Sequence, residues 1–343
     1  LTWDYTATDA GFVGIFALLG LLIGSFLNVV IHRLPRMMER QWQAELAEMA
    51  PTAAIAPLAP LTPSGPGPES AQPLTLLTPR SHCPNCGHVL RWYENIPVLS
   101  YLALRGRCAA CPSAISLRYP LVELLTALLF AWCAARAGST QLPLAWAWCI
   151  FCALLLALAL IDLDHHLLPD SLTQPLLWTG LGGAALGWTG TALSTAFWGA
   201  AAGYLSLWLL ATLFRWITGR VGMGQGDFKL FAALGAWLGW AALPPLLLLA
   251  STLGALVGLV MLWRRQRATA SERDAGSNAE PDADTNAASD TAPAAELPET
   301  EAPLYIPFGP FLALAGLALM GLGPELILTT LGLPLPEPGL VLK

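Results

Sequence analysis

Charge is what this chain has least of. Only 12% of its 343 residues are Asp, Glu, Lys or Arg, against roughly 25% in an ordinary soluble domain. That scarcity excludes a water-soluble globular enzyme, and 55% hydrophobic residues point to lipid as the solvent. The formal net charge of -6 sits in one place. Residues 268–303 hold nine acids against one base, Arg273, which leaves the rest slightly basic and without a stripe that would suggest nucleic acid as a partner. A basic segment ahead of the first apolar run is also missing, and that run is too long for a signal sequence, so no cleaved signal peptide is expected. There is no convincing internal repeat. No strand or phosphate-binding lysine accompanies the Gly-x-Gly segment, so a nucleotide loop is not indicated.

What the chain does have is apolar runs. They fall at residues 11–31, 120–135, 142–161, 172–191, 194–214, 228–243, 246–263 and 307–331. Each approaches the roughly 20 residues that a helix needs to cross a hydrocarbon core. The expected fold is therefore an all-α polytopic membrane protein with about eight transmembrane helices, the run at 228–243 being the weakest. Sorting the Lys and Arg by loop orients it. Arg33, Arg36, Arg40, Arg80, Arg91, Arg105, Arg107 and Arg118 lie between the first two runs, while Arg215, Arg220 and Lys229 flank the loop between the fifth and sixth. Arg264, Arg265, Arg267 and Arg273 follow the seventh, leaving Arg136 and Lys343 opposite. Those three loops are expected on the cytosolic side and both termini outside.

The domain reading follows. Residues 11–31 form the first span, 32–118 a cytosolic loop, 120–263 a core of six spans, 264–306 a cytosolic insert and 307–331 the last span. Within the loop, residues 49–78 are rich in Pro and Ala and read as a linker. The stretch 268–303 is acidic and of low complexity, and disorder is expected there.

Four of the seven cysteines form two Cys-x-x-Cys pairs, Cys83/Cys86 and Cys108/Cys111, with 21 residues between them. Two such turns present four thiolates to one ion, so residues 83–111 read as a small structural zinc module. Disulfides are the competing reading, disfavoured for a segment facing the reducing cytosol. Cys133, Cys149 and Cys152 lie in apolar runs and read as buried packing residues.

The aspartates carry the function. Apart from those at the N-terminus and in the acidic stretch, only Asp162, Asp164, Asp170 and Asp227 remain. All four fall at expected cytosolic ends of spans. Ionisable groups at such positions usually face protein or water, and two carboxyls brought together share a proton, which is the electrostatic basis of aspartic protease chemistry. Asp227 closes Gly224-Gln225-Gly226-Asp227, where glycine permits close approach of chain or substrate. Asp170, after Pro169 and before Ser171, reads as a helix cap. His165 and His166 read as polar lining, with assistance to the chemistry or metal binding as the alternative.

These residues, in order, resemble the bacterial type IV prepilin peptidases. The match comprises Gly24-Ser25-Phe26-Leu27-Asn28 through His32-Arg33-Leu34-Pro35, both cysteine pairs, Asn95-Ile96-Pro97 and Ser116-Leu117-Arg118-Tyr119-Pro120-Leu121-Val122-Glu123. It continues through the stretch from Asp162 to Asp170, Gly224-Gln225-Gly226-Asp227 with Lys229, and Pro307-Phe308-Gly309-Pro310. The resemblance implies an inner-membrane aspartic endopeptidase with Asp162 and Asp227 as its catalytic pair, Asp164 being the neighbour most easily confused with Asp162. It implies cleavage of the basic leader of type IV prepilins and type II secretion pseudopilins, after Gly and usually before Phe, at the cytosolic face. It further implies methylation of the new N-terminal amine by S-adenosylmethionine, although no soluble methyltransferase domain is visible. The sequence departs from the family's pattern in the longer Pro/Ala-rich stretch and acidic insert. A peptidase without methyl transfer, and a transporter or assembly scaffold using the aspartates as an ion path, are the alternatives.

Overall fold

The structure is a computed structural model that describes residues 10–49, 74–220, 222–277 and 307–323. Among the described residues the chain forms nine α-helices and no β-strand. They are α1 (Ala10–Met49), α2 (Leu99–Ala103), α3 (Arg118–Ala137), α4 (Leu142–His165), α5 (Asp170–Ala185), α6 (Leu193–Thr218), α7 (Gln225–Leu238), α8 (Leu243–Ser277) and α9 (Gly309–Leu322). Leu- and Ala-rich runs favour helix intrinsically. In lipid the preference becomes compulsory, because every backbone N–H must be satisfied within its own segment.

The eight expected apolar helices are therefore present as α1 and α3 to α9, and five of them (α1, α3, α4, α6 and α8) are long and apolar enough to cross a membrane. The others are shorter. At 14 residues, α7 spans about 21 Å, less than a hydrocarbon core of about 30 Å. It is buried along nearly its whole length from Asp227 to Leu238, as a helix apolar on all sides must be. The boundaries differ from the sequence reading where hydropathy carries no information. The fourth run stops at Ala185 rather than residue 191, because a turn through Gly187 follows (φ +72°). The first helix runs on to Met49, past Pro35. The helix α8 continues to Ser277, into the stretch expected to be disordered. Residues 50–73 and 278–303, which hold most of the expected linker and insert, lie outside the described residues, as does the end of the last span beyond residue 323.

Small residues let the helices approach closely. On α1, Gly20 and Gly24 lie against Ala127 and Glu123 of α3, where an added Cβ would come within 2.6 Å and 2.7 Å of backbone atoms. On α6, Gly199 and Gly203 lie against Gly235 and Phe231 of α7 in the same way. These pairs, α1 with α3 and α6 with α7, make the most extensive helix contacts. Trp148, Phe151 and Trp237 fill the centre, with ring centroids 5.0–5.4 Å apart, and the Trp237 indole donates to the Leu176 carbonyl at 2.8 Å. The α6–α7 contact yields a stability prediction. A Cβ at Gly199 would collide with the Gly235 carbonyl and meet the Trp240 amide nitrogen at 2.9 Å, and neither backbone group can rotate away. Gly199→Ala should destabilise the protein by about 1–3 kcal/mol, read as a lowered thermal midpoint in detergent. An unchanged midpoint would show that the two helices are free to separate.

Candidate active site

Asp162 sits in the last turn of α4, and Asp227 in the first turn of α7. Both are buried, at 5% and 7% exposure, and lie close enough for their charges to act on one another. The fold converges here. The N–H of Gly309, at the start of α9, donates to Asp162 Oδ2 at 2.9 Å, and Gly224 lies beside Asp227, where an added Cβ would meet Asp227 Oδ2 at 3.6 Å. Leu168 lies between the two halves, where added Cβ atoms on Gly226 and Gly309 would meet it at 2.7 Å and 3.3 Å. Two carboxyls walled from bulk water, one of them held by a backbone donor, form a pair able to divide acid and base roles.

The other two aspartates have different work. Asp164 forms an ion pair with Arg118 at 2.6 Å. On an α-helix, residues two apart point in nearly opposite directions, so when Asp162 faces the interior Asp164 cannot. Asp170 is not the cap expected from its context. It is the first residue of α5, Pro169 holds the cap position, and its carboxylate receives Lys229 Nζ at 2.6 Å and 2.7 Å. That ion pair ties α5 to α7 two residues beyond Asp227. His166 closes α4 in the left-handed conformation (φ +54°), its N–H donating to the Asp162 carbonyl at 2.9 Å.

Gly309 had no assigned role in the sequence reading, although it lies inside the quoted Pro-Phe-Gly-Pro segment. Its function follows from its missing side chain. A Cβ there would lie 2.5 Å from Asp162 Oδ2 and 3.1 Å from its Cγ, so Gly309→Ala must displace the carboxyl it hydrogen-bonds. A misplacement of about 1 Å at a reacting group costs on the order of 100-fold in rate. Gly309→Ala should lower turnover of the substrate assigned below by about that factor while the protein still inserts and folds. Turnover within a factor of two of the parent would show that Asp162 does not need this placement.

The four paired cysteines come together. Their sulfurs lie within 4.8 Å of one another, with Cys83 to Cys111 at 3.8 Å and Cys86 to Cys108 at 3.9 Å. A tetrahedral ion about 2.3 Å from each of four sulfurs requires separations of about 3.8 Å, so the group fits a metal ion of that geometry. The two turns share a construction. In one, Cys83 N–H donates to His88 O at 2.9 Å, and in the other Cys108 N–H donates to Ser113 O at 2.9 Å. Backbone N–H groups of Asn85 and Cys86 hold the Cys83 thiol down to about 6, which favours the thiolate that a metal requires.

The loop that carries the module is fastened to the helices at two points, and a third contact, an ion pair, braces the helices beside it. Arg33 donates to the carbonyls of Thr75 at 3.0 Å and Pro79 at 2.7 Å, Glu123 accepts the Val98 N–H at 2.8 Å, and Arg118 holds Asp164. Cys133, Cys149 and Cys152 are buried together in the helical core, with Cys133 and Cys152 sulfurs 3.8 Å apart.

Comparison with known proteins places this geometry in context. The family described as the bacterial peptidase A24 N-terminal domain matches residues 18–137, and the type IV leader peptidase family matches residues 149–259. A Pseudomonas aeruginosa protein named prepilin leader peptidase/N-methyltransferase is 44% identical over 334 residues, covering 96% of this chain and 97% of that protein. Proteins of the same name from Burkholderia pseudomallei and Aeromonas salmonicida are 45% and 52% identical. The first covers 93% of this chain and 88% of its own length, and the second 71% and 80%. No solved structure matches.

Proposed function

The chain belongs to the type IV leader peptidase family, and we propose that it removes the basic leader from type IV prepilins and type II secretion pseudopilins, cutting after Gly and usually before Phe. Asp162 and Asp227 are the catalytic pair. The observation that carries this reading is that both are buried where α4, α7 and α9 meet, around Leu168 and Gly309, while Asp164 and Asp170 are each neutralised by a basic partner. In this chemistry one carboxylate takes a proton from water, and the resulting hydroxide adds to the scissile carbonyl carbon. The protonated partner donates to the carbonyl oxygen. Collapse of the tetrahedral species breaks the C–N bond as a carboxyl proton passes to the leaving amine nitrogen. The leader leaves with a carboxylate and the mature chain with a free amine.

That amine is the acceptor for the second activity, methyl transfer from S-adenosylmethionine. The Cys83, Cys86, Cys108 and Cys111 cluster would hold a structural zinc ion, since all four positions of a tetrahedral site are occupied by protein sulfur. The protein is assigned to the bacterial inner membrane, with the dyad at the cytosolic face, where the excess of Arg lies. Membrane lipid and the substrate pilins are its partners.

Incubating purified protein with a prepilin and methyl-labelled S-adenosylmethionine tests the proposal. Leader release with label in the mature chain is the expected result. Leader release without label would leave a peptidase alone, and an intact prepilin would overturn the reading.

A further inference from the structure

The loop between α1 and α3 reads from its sequence as a water-facing segment, yet one stretch of it turns a bare apolar face outward. Residues 92–103 form a 3-10 turn, Trp92–Asn95, followed closely by α2. Trp92 is 78% exposed, and Leu99 and Leu102, neighbours on one side of α2, are 65% and 64% exposed. Tyr93 stands edge-on to Trp92, with ring centroids 5.7 Å apart. The other side of the stretch is packed. Pro97 is buried, and the Tyr101 ring lies so close to Gly106 that an added Cβ would meet its hydroxyl at 2.7 Å.

The height of this face is set by α3. With 20 residues, α3 is about 30 Å long, the thickness of a hydrocarbon core. Glu123 lies five residues along it from Arg118, about 7.5 Å from its start. Its carboxylate accepts the N–H of Val98, the residue before Leu99, at 2.8 Å. Helical side chains tilt toward the N-terminus, so Val98 is held between the depth of Glu123 and that of Arg118, level with the boundary of headgroups and acyl chains. The exposed surface is also continuous with the helix. Leu117, at the N-cap of α3, is exposed together with Leu121, Leu124 and Leu128, a helically spaced stripe that starts in the loop and runs down into lipid.

We propose that residues 92–103 are an interfacial anchor, lying in the plane of the membrane surface with Trp92, Leu99 and Leu102 seated in lipid. The residue types match that position, since Trp and Tyr concentrate at headgroup level. Its charge does too. Arg91 and Arg105 bound the segment and are exposed, which suits anionic headgroups. The one acid between them, Glu94, is occupied by the Arg91 N–H at 2.9 Å and His88 Nε2 at 3.0 Å. The anchor also fixes the cysteine cluster. Gly106 N–H donates to Tyr101 O at 2.9 Å, and Cys108 follows two residues later, so the second cysteine pair hangs from α2 at the membrane surface.

Photo-crosslinking of the full chain tests this. The protein is placed in nanodiscs of phosphatidylcholine and phosphatidylglycerol, with p-benzoylphenylalanine substituted in turn at Trp92, Leu102 and Gln43, and adducts are identified by mass spectrometry. Gln43 is exposed on α1, ten residues beyond Arg33 and about 15 Å further along that helix, so it is the water-side reference. Lipid adducts at positions 92 and 102 should exceed those at 43 by tenfold or more. Leu99→Glu, combined with the label at position 92, should cut its lipid adducts fivefold or more, because a carboxylate is costly among acyl chains. Lipid adducts at 92 and 102 no more frequent than at 43 would overturn the anchor, as would capture of a second copy of the chain or of added prepilin in place of lipid. A yield unmoved by Leu99→Glu would overturn the seating of α2.

Discussion

Asp162→Asn and Asp227→Asn should each abolish leader cleavage while the protein remains folded and inserted. In the proposed cycle each carboxyl has a separate task, and an amide can neither accept a proton from water nor donate one to a carbonyl oxygen at useful rates. Loss of a positioned acid or base costs on the order of 10²–10⁴-fold. Because the two act as a unit, the double variant should be little worse than either single one. Asp164→Asn is the internal control. Its side chain makes the Arg118 ion pair and lies on the other side of α4 from Asp162, so the loss should stay within about tenfold, the scale of a partly exposed ion pair of roughly 1 kcal/mol. Single-turnover cleavage of a prepilin by the four variants reads all of this. A larger loss from Asp164→Asn than from Asp162→Asn would reverse the assignment of the first aspartate.

The second large effect concerns the cysteines. Purified protein should contain one zinc per chain, and replacing Cys83, Cys86, Cys108 and Cys111 with Ser should remove it. The module around them has little regular structure of its own: two isolated bridges, His82 with Val89 and Arg107 with Ala114, one 3-10 turn at Trp92–Asn95 and the five-residue α2. A structural zinc contributes about 10–16 kcal/mol of apparent binding free energy in small domains, so its loss should unfold residues 83–111. The aspartates are carried by α4 and α7, outside the module, so cleavage should suffer less than module stability does. Limited proteolysis alongside metal analysis measures the two separately. Zinc retained after all four substitutions would contradict the ligand set, and a zinc-free module that resists protease would contradict its structural role.

Much of this was legible in the sequence because membranes impose simple rules. Charge-poor runs must be helices, and all eight apolar helices fall where the runs place them. The Cys-x-x-Cys spacing likewise fixes a four-sulfur cluster without help from the fold. The limits are just as physical. Helix ends depend on turns, as at Gly187, which hydropathy does not register. Asp162 and Asp164 lie in the same motif, and composition cannot say which faces inward. The resemblance to a known family separated them, and the Arg118 partner gives the structural reason. Asp170 looked like a cap because caps are local, whereas its real partner, Lys229, arrives from another helix. The role of Gly309 was beyond any local pattern, since a backbone N–H meeting a carboxyl 147 positions away leaves no trace in spacing.

The most direct test separates the two chemistries assigned to one chain. Purified parent, Asp162→Asn and Asp227→Asn proteins are each given an intact prepilin and, separately, a mature pilin lacking its leader, with S-adenosylmethionine present, and the pilin N-terminus is read by mass spectrometry. The account predicts that the parent cuts the prepilin after Gly and methylates both products, and that the two variants leave the prepilin whole yet still methylate the pre-cut chain. Substantial cleavage of the prepilin by Asp227→Asn would contradict the buried aspartate pair as the peptidase centre.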